Sequence, residues 1–148
     1  MQVNSKYIIR KADINDVIEI SQIFIEFVGK NSDIIAMKKQ IEVISNNPNY
    51  FVAVACYREK VIGTAMGVVC YDLCGSCKQF MVIENVAVLP SYRGKGIGKL
   101  LMEAQEKFGR KNNCQYTILV SGSKRTDAHK FYETMGYSKE YGFKKKLK

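Results

Sequence analysis

The segment that most restricts the fold is Val86-Ala87-Val88-Leu89-Pro90-Ser91-Tyr92-Arg93-Gly94-Lys95-Gly96-Ile97-Gly98-Lys99. An apolar strand ends at a proline, which cannot extend a ladder. A turn with three alternating glycines then opens into an amphipathic helix. The first N–H groups of a helix lack intrahelical acceptors, and the helix dipole makes that end positive. Glycines let an anion approach the backbone with no Cβ in the way. Arg93, Lys95 and Lys99 add three cations, so the segment suits an anion of pyrophosphate size.

Two other phosphate motifs do not fit. A P-loop needs a glycine where Arg93 stands and a Ser or Thr where Leu100 stands. The dinucleotide fingerprint Gly-x-Gly-x-x-Gly fails because Gly98 comes one position early. The acidic residue expected after the next strand is replaced by Val120-Ser121-Gly122.

Around this segment the chain reads as β-α-α-β-β-β-α-β-α-β. Tyr7–Arg10 is a first strand. Asp13 caps a helix that runs to about Gly29, with Asp16 favouring its positive end. A second helix spans Asp33–Asn46, with Ile34, Met37, Ile41 and Ile44 on one face. Tyr50–Tyr57 and Val61–Tyr71 form a hairpin about the polar turn Arg58-Glu59-Lys60. Phe80–Val88 is a fourth strand, Gly96–Arg110 a helix, and Gln115–Val120 a fifth strand. Asp127–Met135 is a short helix closed by Gly136. Residues 137–147 can supply one or two more strands. The pattern is α/β in the α+β sense, one mixed sheet covered by helices.

At 148 residues the chain is expected to be one domain, 1–148, long enough to bury a core. No apolar run reaches the ~18 residues of a membrane span. The start, Met1-Gln2-Val3-Asn4-Ser5-Lys6, has no apolar h-region, so a cytoplasmic protein away from membranes is expected. Five cysteines, an odd number, read as reduced thiols. Cys70, Cys74 and Cys77 hint at a metal, but the single histidine, His129, is remote, and no metal is expected. The net charge of +9 suits an anionic ligand. Four of those charges lie in Lys139–Lys148, which has five lysines and one glutamate and reads as a solvated tail.

Arg93-x-x-Gly96-x-Gly98, with the strand before it and the helix after it, resembles the acetyl-CoA motif of the GNAT acetyltransferase superfamily. Ala128-His129-Lys130-Phe131-Tyr132-Glu133-Thr134-Met135-Gly136-Tyr137 resembles that family's second motif, Ala-x-x-Phe-Tyr-Glu-x-x-Gly-aromatic. The likeness extends from about Tyr7 to Tyr137, its N-terminal third by pattern alone. It implies a mostly antiparallel sheet that splays between the fourth and fifth strands, with helices on both faces. It also implies acetyl transfer from acetyl-CoA to a primary amine by direct attack in a ternary complex.

By that resemblance the cofactor is held by Val86, Ala87, Val88, Arg93, Gly94, Lys95, Gly96, Ile97, Gly98 and Lys99. Val88 bonds the pantetheine arm as an added strand would. Val86 N–H meets the oxyanion, at a bulge. Tyr132, a phenol that stays protonated at neutral pH, donates to the departing thiolate. The alternative for Tyr132 is a core position on the face Ala128, Phe131, Tyr132, Met135. Glu84 is the base, directly or through water; strand alternation places it with Val86 and Val88. Its alternative is an exposed strand carboxylate. His129 reads as a helix-surface residue, its alternative being a base that shares a cleft with Tyr132, and Arg125 as a loop cap. Lys99 or Lys130 can reach the adenosine phosphate.

Two rival functions remain. An acyl-CoA sensor would keep the glycine turn but has no need of Tyr132 and Glu84. A nucleic-acid module suits the charge and the nine tyrosines, but zinc spacing, a helix-turn-helix pattern and RRM aromatics are missing, so no nucleic-acid partner is expected. The acceptor is a small-molecule or peptide amine. Glu19, Glu26, Asp33, Glu42 and Asp72, in the first helices and the loop after the third strand, are candidates to hold its cation; the alternative for each is an ordinary surface charge. A homodimer suits a domain of this size.

Overall fold

The computed structural model describes residues 2–4 and 6–148. They fall into two compact units, Met1–Ile118 and Leu119–Lys148. The first unit is built on six strands in spatial order: β1 (Gln2–Asn4), β2 (Tyr7–Lys11), β3 (Tyr50–Tyr57), β4 (Lys60–Cys70), β5 (Phe80–Val88) and β6 (Thr117–Ile118). Neighbours are antiparallel up to β5, and β6 joins β5 in parallel. The sheet is therefore mixed and mostly antiparallel, as expected. β1 has no counterpart in the sequence reading: three residues with one β-branched side chain carry too little periodicity to register.

Helices α1 (Val17–Val28) and α2 (Ile34–Ser45) cover one face, and α3 (Ile97–Lys111) covers the other. β3 shows why both faces are covered. Val52, Val54 and Cys56 pack under α1 and α2, while Ala53 and Ala55 pack with Ile97 and Leu101 of α3. All five are buried, so β3 reads as a continuous apolar run. Each fully buried branched side chain, such as Ile23 or Leu101, contributes about 1.5–3 kcal/mol.

The entry to α1 is fixed by charge. Asp13 Oδ1 accepts from Asn15 N–H at 2.7 Å, and Asp16 Oδ2 accepts from Asp13 N–H at 2.8 Å, a reciprocal cap. Both Asp16 oxygens also accept from the Arg10 guanidinium at 2.7 Å, which ties α1 to β2. Asp16 is buried, so it is more than the dipole partner read from sequence. Burial pushes its carboxyl up, but the bonds from Arg10 and from Asp13 N–H outweigh that and hold it below its ordinary value.

α3 is locked to the sheet by a buried amide. Gln105 is fully buried, and its Nε2 donates to Ala65 O at 2.9 Å and Phe51 O at 3.2 Å. Gly67 makes room for it: a Cβ there would collide with Gln105 Oε1.

The second unit contains α4 (Thr126–Thr134). Gly136 N–H donates to Glu133 O and Tyr137 N–H to Tyr132 O, both at 3.0 Å. This is a Schellman cap, and the contact it favours is present, with the Tyr132 and Tyr137 rings 5.9 Å apart. Residues 137–147 form no strand, contrary to expectation. Tyr141 and Phe143 lie exposed among lysines with no apolar face to bury. The expected strand Gln115–Val120 is likewise only Thr117–Ile118.

Asp16→Asn should lower unfolding free energy at pH 7 by about 2–3 kcal/mol, below the value for a fully buried pair because the Arg10 side chain is 36% exposed. The folded-state pKa is depressed, so the carboxylate's contribution is present above ~pH 4 and fades as pH falls through the folded value. Urea titrations of both proteins should converge towards low pH. Gly67→Ala should cost about 1–3 kcal/mol in the same assay, from overpacking against Gln105.

Candidate functional site

β5 loses one neighbour along its length. It pairs with β6 only at Met81↔Thr117 and Val82↔Ile118, then runs on to Val88. Among the described residues, no ladder from β6 reaches the stretch Ile83–Val88.

A bulge falls in that stretch. Thr64 stands opposite Ala87 and Met66 opposite Glu84, so Asn85 and Val86 together oppose Ala65. Asn85 takes up the extra length at φ 55°, a left-handed conformation that Asn tolerates better than most residues. The bulge resets the alternation. Ala87 packs towards α1, whereas Val86 and Val88 pack towards α3. Glu84 shares the face of its partner Met66, which is the α1 side. Simple alternation put Glu84 with Val86 and Val88; the extra residue moves it to the opposite face, with Ala87. Glu84 is exposed there.

The bulge also aims the backbone. Leu89 N–H donates to Ile62 O on β4 at 2.9 Å. In an extended strand the polar groups of successive residues point to opposite sides. Val88 and Val86 therefore turn their N–H and C=O groups away from β4, along the edge that β6 has left. Arg93 Nε donates to Val88 O at 3.1 Å and folds the following turn back on this edge. Val86 N–H and Val88 N–H remain pointed outward.

Beyond Pro90–Tyr92, a single 3₁₀ turn, the chain reverses into α3. Gly94 and Gly96 sit at φ 72° and 82°, where an L side chain is strained. A Cβ at either would meet nothing within 4 Å, so conformation and not space requires glycine. Gly96 is the N-cap of α3, and no side chain caps the helix. No acidic residue stands in its first turn. The opening N–H groups thus face an exposed turn with three basic side chains nearby. Lys95 Nζ lies 5.3 Å from the Tyr92 ring centroid, and Lys99 Nζ lies 3.9 Å from Glu103. The Ile97 side chain is buried in the core, so it can offer a ligand only its N–H; Ala87 is buried on the α1 face.

Among the five acidic acceptor candidates, three have structural work. Glu19 accepts from Val61 N–H, Asp33 caps α2 at Ala36 N–H, and Asp72 accepts from Leu73 and Cys74 N–H. Glu26 and Glu42 are exposed on α1 and α2.

Tyr132 lies on α4 in the second unit, half-buried, with its ring 5.2 Å from that of Phe131. His129 Nε2 lies 2.8 Å from Gly122 O, a contact that braces α4 on the preceding loop. Arg125 N–H donates to Gly122 O at 3.0 Å in the same loop. The sequence reading missed the roles of Asn85 and Gln105. The polar pair Glu84-Asn85 interrupting an apolar strand was the available signal for the bulge; Gln105 gave none.

The acetyltransferase (GNAT) family model matches residues 17–137, and the chain belongs to that family. It is 37% identical over 59 residues to the aminoalkylphosphonate N-acetyltransferase of Salmonella typhimurium, covering 40% of this chain and 38% of that protein. It is 29% identical over 137 residues to an uncharacterised N-acetyltransferase of Chlorobaculum tepidum, covering 90% and 78%. The chain spans 38% to 58% of the length of the first three curated relatives. Its fold matches a crystal structure of glucosamine-6-phosphate N-acetyltransferase from Arabidopsis thaliana with a TM-score of 0.86, at 22% identity over 97% and 100% of the two chains.

Gly96→Ala should destabilise the protein by about 1–2 kcal/mol, because alanine must adopt the left-handed N-cap. Gly98→Ala, inside the helix, should be neutral or slightly stabilising. Urea unfolding of the two variants checks the contrast.

Proposed function

We propose that the chain is an acetyl-CoA-dependent N-acetyltransferase, its two units acting as one domain. It moves an acetyl group directly to a primary amine of a small molecule or peptide. The observation that carries this reading is the pairing of an open strand edge at Val86–Val88 with the uncapped start of α3. The first offers backbone hydrogen bonds to an extended amide arm, and the second a seat for phosphates. The groups at hand thus match both ends of such a donor.

A thioester is already activated, so no covalent enzyme intermediate is needed. Three tasks fall to this chain. The amine must lose a proton, because a primary amine is protonated at neutral pH. Glu84 takes it, directly or through water from its exposed position. Charge that develops on the acyl oxygen needs a fixed donor, and Val86 N–H serves. The departing thiolate needs a proton, and the Tyr132 phenol supplies it. Arg93, Lys95, Lys99 and the N–H groups from Gly94 to Lys99 hold the pyrophosphate. The relative from Salmonella typhimurium acts, by its name, on an aminoalkylphosphonate, which supports a small amine as acceptor. The fold carries no preference among amines. No described helix is long and apolar enough to cross a membrane, which is compatible with work in the cytoplasm.

Acetyl-CoA at about 100-fold above its dissociation constant should add about 2.7 kcal/mol of stability. Thermal unfolding should show the shift for wild type and for Tyr132→Phe, and lose most of it for Arg93→Ala. Thiol release with a panel of amines should fall about 100-fold or more in Tyr132→Phe, with binding retained. Absence of a shift in folded wild-type protein free of bound CoA would refute the reading.

A further inference from the structure

We propose that Cys74 and Cys77 form a reversible intramolecular disulfide, which makes the loop between β4 and β5 a site of oxidative modification. The two residues belong to Cys74-Gly75-Ser76-Cys77. Cys77 N–H donates to Cys74 O at 3.0 Å, closing a four-residue turn with Gly75 at φ 58°. Such a turn holds its outer Cα atoms within about 7 Å. A disulfide needs about 4.4–6.8 Å, a range that overlaps the span of such a turn. Asp72 Oδ1 accepts from Leu73 and Cys74 N–H at 2.7 and 3.1 Å and fixes the entry to the turn.

Access and competition single out the same pair. Cys74 and Cys77 are free and exposed, whereas Cys56 is buried and Cys70 and Cys114 are half-buried. The thiolate is the reactive form. Burial pushes the Cys56 thiol up, with only part of that offset by Arg10. Burial, helped by Cys70, pushes the Cys114 thiol up. Among the described residues no third histidine, cysteine or carboxylate joins the pair in a group able to hold a metal ion. The chemistry that two adjacent thiols support unaided is oxidation.

The reaction balances by exchange with a low-molecular-weight disulfide such as glutathione disulfide. One cysteine thiolate attacks a glutathione sulfur, forms a mixed disulfide and expels one glutathione thiolate. The second cysteine loses its proton, attacks the mixed disulfide and expels the other. The two cysteine sulfurs lose two electrons and two protons. Glutathione disulfide gains the electrons and leaves as two glutathione molecules once protonated.

The test is independent of acetyl transfer, because it reads thiols and mass. Wild type, Cys74→Ser, Cys77→Ser and Cys70→Ser are equilibrated across reduced-to-oxidised glutathione ratios. They are then quenched with N-ethylmaleimide and digested with trypsin. Wild type should lose two of its five alkylatable thiols in one step, with a midpoint set by the square of reduced over oxidised glutathione. The peptide Val61–Lys78 should carry one maleimide, on Cys70, in place of three, and lie two hydrogens below the mass of the singly alkylated dithiol; dithiothreitol before the quench should restore all three adducts. Cys70→Ser should keep the transition. Cys74→Ser and Cys77→Ser should lose it, and circular dichroism should show both still folded. Glutathione adducts on Cys74 or Cys77 in place of the internal bond would overturn the proposal, as would a bond to Cys70 or retention of all five thiols.

Discussion

A strand can lend its backbone to a ligand only where it has parted from a neighbour. Much of the arrangement around β5 follows from that constraint. Parallel pairing with β6 lasts two residues, after which β5 continues with β4 alone. One side of the strand stays fixed by hydrogen bonds, and the other has no paired strand from Ile83 onward among the described residues. The bulge at Asn85–Val86 then decides what that side presents. One extra residue turns Val86 and Val88 outward and swings Glu84 to the opposite face of the sheet. Glu84 therefore stands on the opposite face of the sheet from the Val86 and Val88 side chains.

The turn after β5 depends on the same strand end. Arg93 bonds Val88 O, so the cationic loop is folded against the edge it follows. α3 can begin there because its far side is pinned. Ile97 and Leu101 enter the core, and Gln105 bonds the carbonyls of both β3 and β4. Gly67 is the space left for that amide. α3 starts with no side-chain cap of its own, so its stability comes from these contacts further along.

Much of this was legible in the chain. The glycine turn and the seven elements from Tyr7–Lys11 to Ile97–Lys111 follow from periodicity and turn chemistry, whereas the cover on both faces is what the family resemblance implies. Pro90, Gly96 and Asp33 marked boundaries to within a residue or two. What escaped detection depended on contacts between separate elements. The bond between Asp16 and Arg10 crosses from a helix entry to a strand. Glu84's face depends on a register shift against β4, and a period-two count cannot register an insertion. The tail residues Tyr141 and Phe143 alternate as a strand would, yet alternation without an apolar face to meet leaves them exposed. Gly136 and Tyr137 read as part of a family motif, and the Schellman cap gives both a structural reason to be there.

An exposed strand edge is a template on which another chain can add and polymerise. This sheet has two ends. At one, β1 is only three residues long, too short to seed a stack. At the other, β5 runs on beyond its pairing with β6, from Ile83 to Val88. There Asn85 breaks the regular spacing of hydrogen-bonding groups, and the charge of Glu84 stands beside it. A second strand laid along this edge would fall out of step after two or three residues. The bulge thus makes this edge a poor seed for a fibril.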